Sequence, residues 1–231
     1  MPRRPRSAGE VDQVRQNILE EALSLIDKEG FEGFSMRKLA GRLGVSVVTL
    51  YRFYESKDHL YLAVLTRGFQ NLFQELEKAG NIRKHPGERL WDIARAYLAF
   101  GLEQANFYNL MFTWHVPKYQ DYVGTPMEAA ARHELEESQK VYLFVIDAAR
   151  EFAETVGHVP EERLRGDIIF FWSTLHGYIA GVNNSLLGYM HEAPLSLRET
   201  IIDNLFAYFQ TLVREYQEVQ TIETQVKEKM I

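Results

Sequence analysis

Apolar residues recur at helical spacing along nearly the whole chain. Val11, Val14, Ile18, Leu19, Ala22, Leu23, Leu25 and Ile26 share one face of a first helix. Gly30 follows as its stop, and Phe31-Glu32-Gly33-Phe34 makes a short connector. Ser35 is placed to N-cap a second helix with Met36, Leu39, Ala40 and Leu43 inward, and Gly44 ends it. Ser46 caps a third, from Val47 to about Tyr54. Ser56 caps a fourth, which starts at Lys57 and runs to about residue 78 through Leu60, Val64, Leu65, Phe69, Leu72, Phe73 and Leu76.

After Gly80-Asn81 and His85-Pro86-Gly87 the pattern resumes with a helix from about Arg89 to Leu102. An aromatic-rich piece covers Phe107 to Trp114, and Val116 to Gly124 reads as a loop. Thr125 is an N-cap with Pro126 at the first helical position, for a helix reaching Val156. Pro160 opens another, to about Tyr189. Ser196-Leu197-Arg198-Glu199 has the form of a capping box and opens a last helix to about Tyr216. No alternating strand pattern survives between turn signals. The expected fold is all-α, with residues 1–56 as one domain and 57–231 as a second.

Composition changes this picture little. The 231 residues are 46% hydrophobic and 25% charged, as in an ordinary folded protein. The densest apolar run, Ile168 to Trp172, is far short of the ~20 residues that span a bilayer. The basic start, Met1 to Arg6, is followed by no apolar stretch and does not read as a secretory signal. With no cysteine there is no disulfide or thiolate chemistry, and the expected compartment is the cytoplasm. Net charge is −6, but it is uneven. Residues 1–60 hold 10 basic and 9 acidic residues, and the rest hold 16 and 23. The first part can therefore meet an anion that the second would repel.

The second and third helices are joined by a turn too tight for side-by-side packing, so they must cross steeply. That is a helix-turn-helix, whose second helix can enter a DNA major groove. Leu39, Leu43, Val45, Leu50 and Phe53 can form its small core. Val47, Val48, Thr49, Tyr51 and Arg52 occupy the remaining face. Arg52 can pair with guanine or phosphate, and Thr49 and the valines can touch a thymine methyl. Ser35, Ser46 and Lys57 lie at helix N-termini, where backbone N–H groups favour phosphate. The same helix pair could instead pack on a protein, in an all-helical interaction module without DNA binding.

The run Phe34 to Ser46, followed by Thr49-Leu50-Tyr51-Arg52-Phe53-Tyr54-Glu55-Ser56-Lys57-Asp58-His59-Leu60, resembles the DNA-binding domain of the TetR (tetracycline repressor-like) family. The likeness spans about residues 11–65, including Gly30-Phe31 after the first helix. It implies a regulator, usually a repressor, that binds palindromic operator DNA as a homodimer and is released by a small-molecule effector. Carried over by position, Ser35, Arg37, Ser46, Tyr54 and Lys57 would hold phosphates. Val47, Val48, Thr49, Tyr51 and Arg52 would face bases or their sugar edges. Val48 departs from the family's frequent glycine or alanine, and Phe53 from its frequent histidine. Arg3, Arg4 and Arg6 would either reach a neighbouring minor groove or form a solubilising tail.

The segment Phe171 to Gly177, with Trp172, His176 and Gly177, resembles a Trp-His-Gly type of C-terminal domain in the same family. Ser173, Gly177, Ala180, Gly181, Asn184 and Gly188 form a stripe of small residues. Glycine within a helix costs ~1 kcal/mol against alanine, so close approach of another helix, internal or from a second subunit, is expected in compensation. The broad apolar face of the last helix favours a second subunit, which predicts a homodimer through about 163–190 and 196–216. Aromatic residues number 12 Tyr, 14 Phe and 3 Trp. Each could serve a core or a cavity. Trp91, Tyr97, Phe107, Tyr108, Met111, Phe112, His115, Trp172 and His176 are the candidates for an effector pocket, for a largely hydrophobic or aromatic molecule.

Catalytic patterns are missing. No two of the seven histidines lie within five residues, so no His-x-x-x-His zinc pair exists. Glu88, Glu128, Glu134 and Glu151 have no histidine three residues later, as a di-metal helical site would need. Neither an enzyme nor a cofactor is expected.

Overall fold

The computed structural model describes residues 8–81, 85–113, 116–157 and 159–229. The fold is all-α, and no strand occurs among the described residues. The chain forms two compact units: residues up to Asn71 with Asn106–Gln139, and Leu72–Ala105 with Lys140–Ile231. Two of the three divisions fall inside long helices and the third at the start of a short one, so neither unit is a single stretch of sequence.

In the first unit, α1 (Ala8–Gly33) buries Ile18, Ala22, Leu25 and Ile26 on one stripe. Gly30, at φ 68°, breaks its helical geometry. Helix α2 (Met36–Leu43) is capped by Ser35, whose hydroxyl accepts from the Lys38 N–H. It ends at Gly44, which sits in the left-handed region at φ 65°. Helix α3 (Val47–Tyr51) is capped by Ser46, which accepts from the Thr49 N–H, and it buries Leu50 completely. This helix stops three residues before the expected Tyr54. A tight turn follows, in which the Phe53 and Tyr54 N–H groups both return to the Leu50 carbonyl.

Helix α4 (Lys57–Gly80) buries Leu60, Tyr61, Leu62, Val64, Leu65 and Thr66, so its first half is covered on more than one side. Part of that cover comes from the later segment of the same unit. There α6 (Ala105–Tyr108) passes into a π-helical turn, Asn109–Thr113. Phe112 meets Phe69 edge-on at 5.7 Å between centroids. The stretch expected as a loop contains a short helix, α7 (Tyr119–Tyr122). Helix α8 (Glu128–Val156) follows Thr125-Pro126, and Thr125 caps its approach as expected, its hydroxyl accepting from the Met127 N–H at 3.2 Å. The Thr125 hydroxyl donates to the Tyr122 carbonyl at 2.8 Å.

The second unit is built on α5 (Pro86–Glu103), the end of α8, α9 (Glu161–Asn183) and α10 (Arg198–Lys229). Ala149, Ala153 and Leu164 form one core cluster with Leu90, Val159 and Ile168 packed around it. Ile93, Leu98, Ile179, Ile202, Leu205 and Leu212 are also buried. Asn183 donates to the Gly101 carbonyl at 2.9 Å. Helix α9 ends at Asn183 rather than near Tyr189, because Ser185 turns into the left-handed region at φ 59°. The capping box expected at Ser196 does not form. Pro194–Leu197 is a 3₁₀ turn, and the Ser196 hydroxyl donates back to the Ala193 carbonyl at 2.7 Å. No helix among the described residues is long and apolar enough to cross a membrane.

Candidate nucleic-acid interface

The helix-turn-helix owes its shape to three local devices. Ser35 and Ser46 satisfy otherwise orphaned N–H groups at the two helix starts. Gly44 closes the first helix with its own N–H on the Ala40 and Gly41 carbonyls, and the Val45 N–H bonds the Ala40 carbonyl at 3.0 Å. Met36, Leu39, Ala40 and Leu50 are buried beneath this frame. Leu43 and Phe53 are half-buried. Val45, expected in the core, is 39% exposed at the turn and belongs to the outer surface.

On α3 and its C-cap residue the outward side chains are Val48, Tyr51 and Arg52, with Val48 65% and Tyr51 46% exposed. Val47 and Thr49 are half-buried, and the Thr49 hydroxyl is paired with that of Ser46 at 2.8 Å. Of the candidate phosphate holders, Arg37 is exposed. Ser35 and Ser46 use their hydroxyls as caps for the Lys38 and Thr49 N–H groups. Lys57 is half-buried, its ammonium 5.8 Å from the Phe34 ring centre. Tyr54 is only 5% exposed. Burial pushes its hydroxyl pKa up to about 12, against the opposing pull of Arg15 and Arg67.

Two other cations of α2 are committed elsewhere. Lys38 pairs with Glu29 and donates to the Gly33 carbonyl at 2.8 Å. Arg42 pairs with Glu21 and donates to Ser24 at 3.2 Å. They clamp α2 onto α1 and so fix the platform on which α3 stands. The arginines of the N-terminal arm, Arg3, Arg4 and Arg6, lie outside the described residues.

The candidate effector residues divide between the units. Phe107, Tyr108, Met111 and Phe112 belong to the first, where Tyr108 and Met111 are buried and Met111 packs on Gly68. Trp91, Tyr97, Trp172 and His176 belong to the second. Tyr97 is buried in α5. Trp172 is 43% exposed on α9 and stacks on His176 at 4.9 Å between ring centres. Partial burial holds the His176 pKa below its usual value. His115 lies outside the described residues. Of these residues Trp91 lines the open cavity of about 660 Å³ that the second unit holds beside α5 and α10. Among the described residues no group of acidic residues and histidines is placed to hold a metal ion.

Comparison with known proteins agrees with this architecture. Residues 18–64 match the model of bacterial regulatory proteins of the tetR family. Residues 90–218, more than half of the chain, match the tetracyclin repressor-like C-terminal domain. Among curated relatives, the transcriptional repressor KstR of Mycolicibacterium smegmatis is 37% identical over 76 residues, 33% of this chain and 37% of the relative. The transcriptional activator FasR of the same organism is 32% identical over 119 residues, 52% of each. The chain thus spans about a third to a half of the length of these two relatives. Among solved structures, the regulator FadR from Bacillus subtilis, determined with stearoyl-CoA, has a TM-score of 0.61 at 14% identity, covering 82% of this chain and 96% of that one. A TetR family transcription regulator from Marinobacter aquaeolei also has a TM-score of 0.61, at 17% identity, covering 85% and 95%. With a capped helix-turn-helix whose second helix faces outward, and a C-terminal match over most of the remainder, this chain belongs to the TetR family.

Proposed function

We propose that this protein is a DNA-binding transcriptional regulator that acts as a homodimer on a palindromic operator in the cytoplasm. The observation that carries the reading is the presentation of Val48, Tyr51 and Arg52 together on the outer face of α3. A guanidinium, a phenol and a methyl-bearing side chain on one short capped helix suit base edges and their flanking phosphates. Repression is the sign we infer, from the KstR relatives.

The dimer would form through residues 163–190 and 196–216. The outer face of α9 carries exposed Ile169, Phe170 and Trp172 beside Ser173 and Gly177, an apolar and small-residue surface suited to a second copy. A small hydrophobic or aromatic effector would bind within residues 57–231. An effector with unequal affinity for the DNA-bound and free arrangements shifts the balance between them. Helix α4 starts directly after the recognition helix and continues to Gly80, so it is the natural carrier of that change.

The test is binding to duplexes enriched from a random pool. Affinity should fall steeply between about 50 and 200 mM salt, by ~10³ or more for six or more phosphate contacts. Arg52→Ala and Tyr51→Ala should each weaken the enriched duplex while sedimentation still shows a dimer. A protein with no salt-dependent duplex affinity would instead be an interaction module, and the reading would fail.

A further inference from the structure

The cavity of the second unit has an unequal lining. Its apolar lining is aromatic: Trp91 meets Phe206 at 5.2 Å and Phe152 meets Phe209 at 4.7 Å between ring centres. Its rim carries two guanidinium groups, Arg95 and Arg214. Arg95 lies over the Trp91 ring at 5.9 Å. Among the described residues neither arginine is in an ion pair. The acids of the same rim, Glu88 and Asp92, already have partners. The rim is thus left with unused donors in the planar fork that matches a carboxylate. Four aromatic rings beside it offer apolar surface for the body of a ligand.

We propose that this cavity binds an organic acid with an alkyl or aryl body, its carboxylate held by Arg95 and Arg214 and its body laid on Trp91, Phe152, Phe206 and Phe209. A volume of about 660 Å³ fits a molecule of that class and is in the range of small-molecule sites. A neutral alcohol of the same body would leave both guanidiniums unanswered, and a cationic amphiphile would be repelled by them. The site gives the effector of the proposed function its chemical class, and it rests on that reading only for its consequence, release from DNA.

The experiment is calorimetric titration of the full chain with decanoate and 2-naphthoate, each against its alcohol, decanol and 2-naphthalenemethanol. At least one acid should saturate at one per chain and bind at least tenfold tighter than its alcohol. Arg95→Gln/Arg214→Gln should lose tenfold or more for the acid and change less than threefold for the alcohol. Gln210→Trp, which fills the cavity from an exposed helix position, should weaken both. Acid binding unchanged in the arginine variant, or saturation by neither acid, overturns the site. Duplex binding of the ligand-free parent is measured alongside. Duplex binding without acid binding sinks the site alone, and acid binding without duplex binding sinks the regulator reading alone.

Discussion

Gly177→Leu separates a helix face built to receive a second subunit from one that is merely exposed. Gly177 lies in the C-terminal third of α9, and a Cβ added there meets nothing within 4 Å in its own chain. Within one subunit the substitution therefore only adds helix propensity, about 0.5–1 kcal/mol. In a dimer packed across this face the added side chain enters the interface twice. Overpacking costs about 1–3 kcal/mol per site, or roughly 2–6 kcal/mol per dimer. At ~1.4 kcal/mol per decade, the dissociation constant should rise about thirtyfold or more. Sedimentation over a concentration series reads the association, and thermal unfolding reads the subunit. Gly181→Leu is the contrast, since its Cβ would lie 2.7 Å from Leu187 Cγ inside the same subunit. That variant should unfold early whatever its association. A Gly177→Leu protein that associates like the parent, or whose separated subunit loses stability, would refute the assignment of this face to the dimer.

Two other predictions concern the first unit. Ser46→Ala removes the acceptor for the Thr49 N–H and should cost about 1 kcal/mol, which for a chain of this size lowers Tm by ~2–4 °C. Operator affinity should fall with it, because a helix as short as α3 has little else to start it; unchanged melting and DNA binding would show the cap to be idle. Burial raises the Glu134 pKa, with Lys118 opposing more weakly. Below the pKa of the unfolded chain both states are protonated and the group costs nothing. As pH rises past it, the unfolded chain ionises first, so stability falls until the folded-state pKa is passed. Glu134→Gln should therefore raise Tm at pH 7 more than at pH 4, and equal shifts at both would contradict the burial argument.

Most of the helices and the helix-turn-helix are legible in the sequence because their signals are local. Ser35, Ser46 and Gly44 act on N–H and carbonyl groups within five residues of themselves, and the 3.6-residue period of Met36, Leu39 and Ala40 needs no knowledge of what covers them. Local signals failed where two of them competed. At Ser196 the capping-box pattern lost to the turn begun by Pro194, whereas at Thr125 both signals were met, the hydroxyl accepting from the Met127 N–H while donating to the Tyr122 carbonyl.

What tertiary structure alone decided is which side chains remain available. Lys38, Arg42 and Arg37 look alike along α2. Only packing against Glu29 and Glu21 of α1 commits the first two and leaves Arg37 outward. Tyr54 and Tyr51 sit three residues apart on the same motif, yet one is buried and the other exposed. The small-residue stripe of α9 is likewise split, Gly181 being filled by Leu187 while Gly177 stays open. The reason is physical: helix periodicity and capping are settled by neighbours within about one turn, whereas burial and ion pairing depend on groups brought close only when distant segments pack.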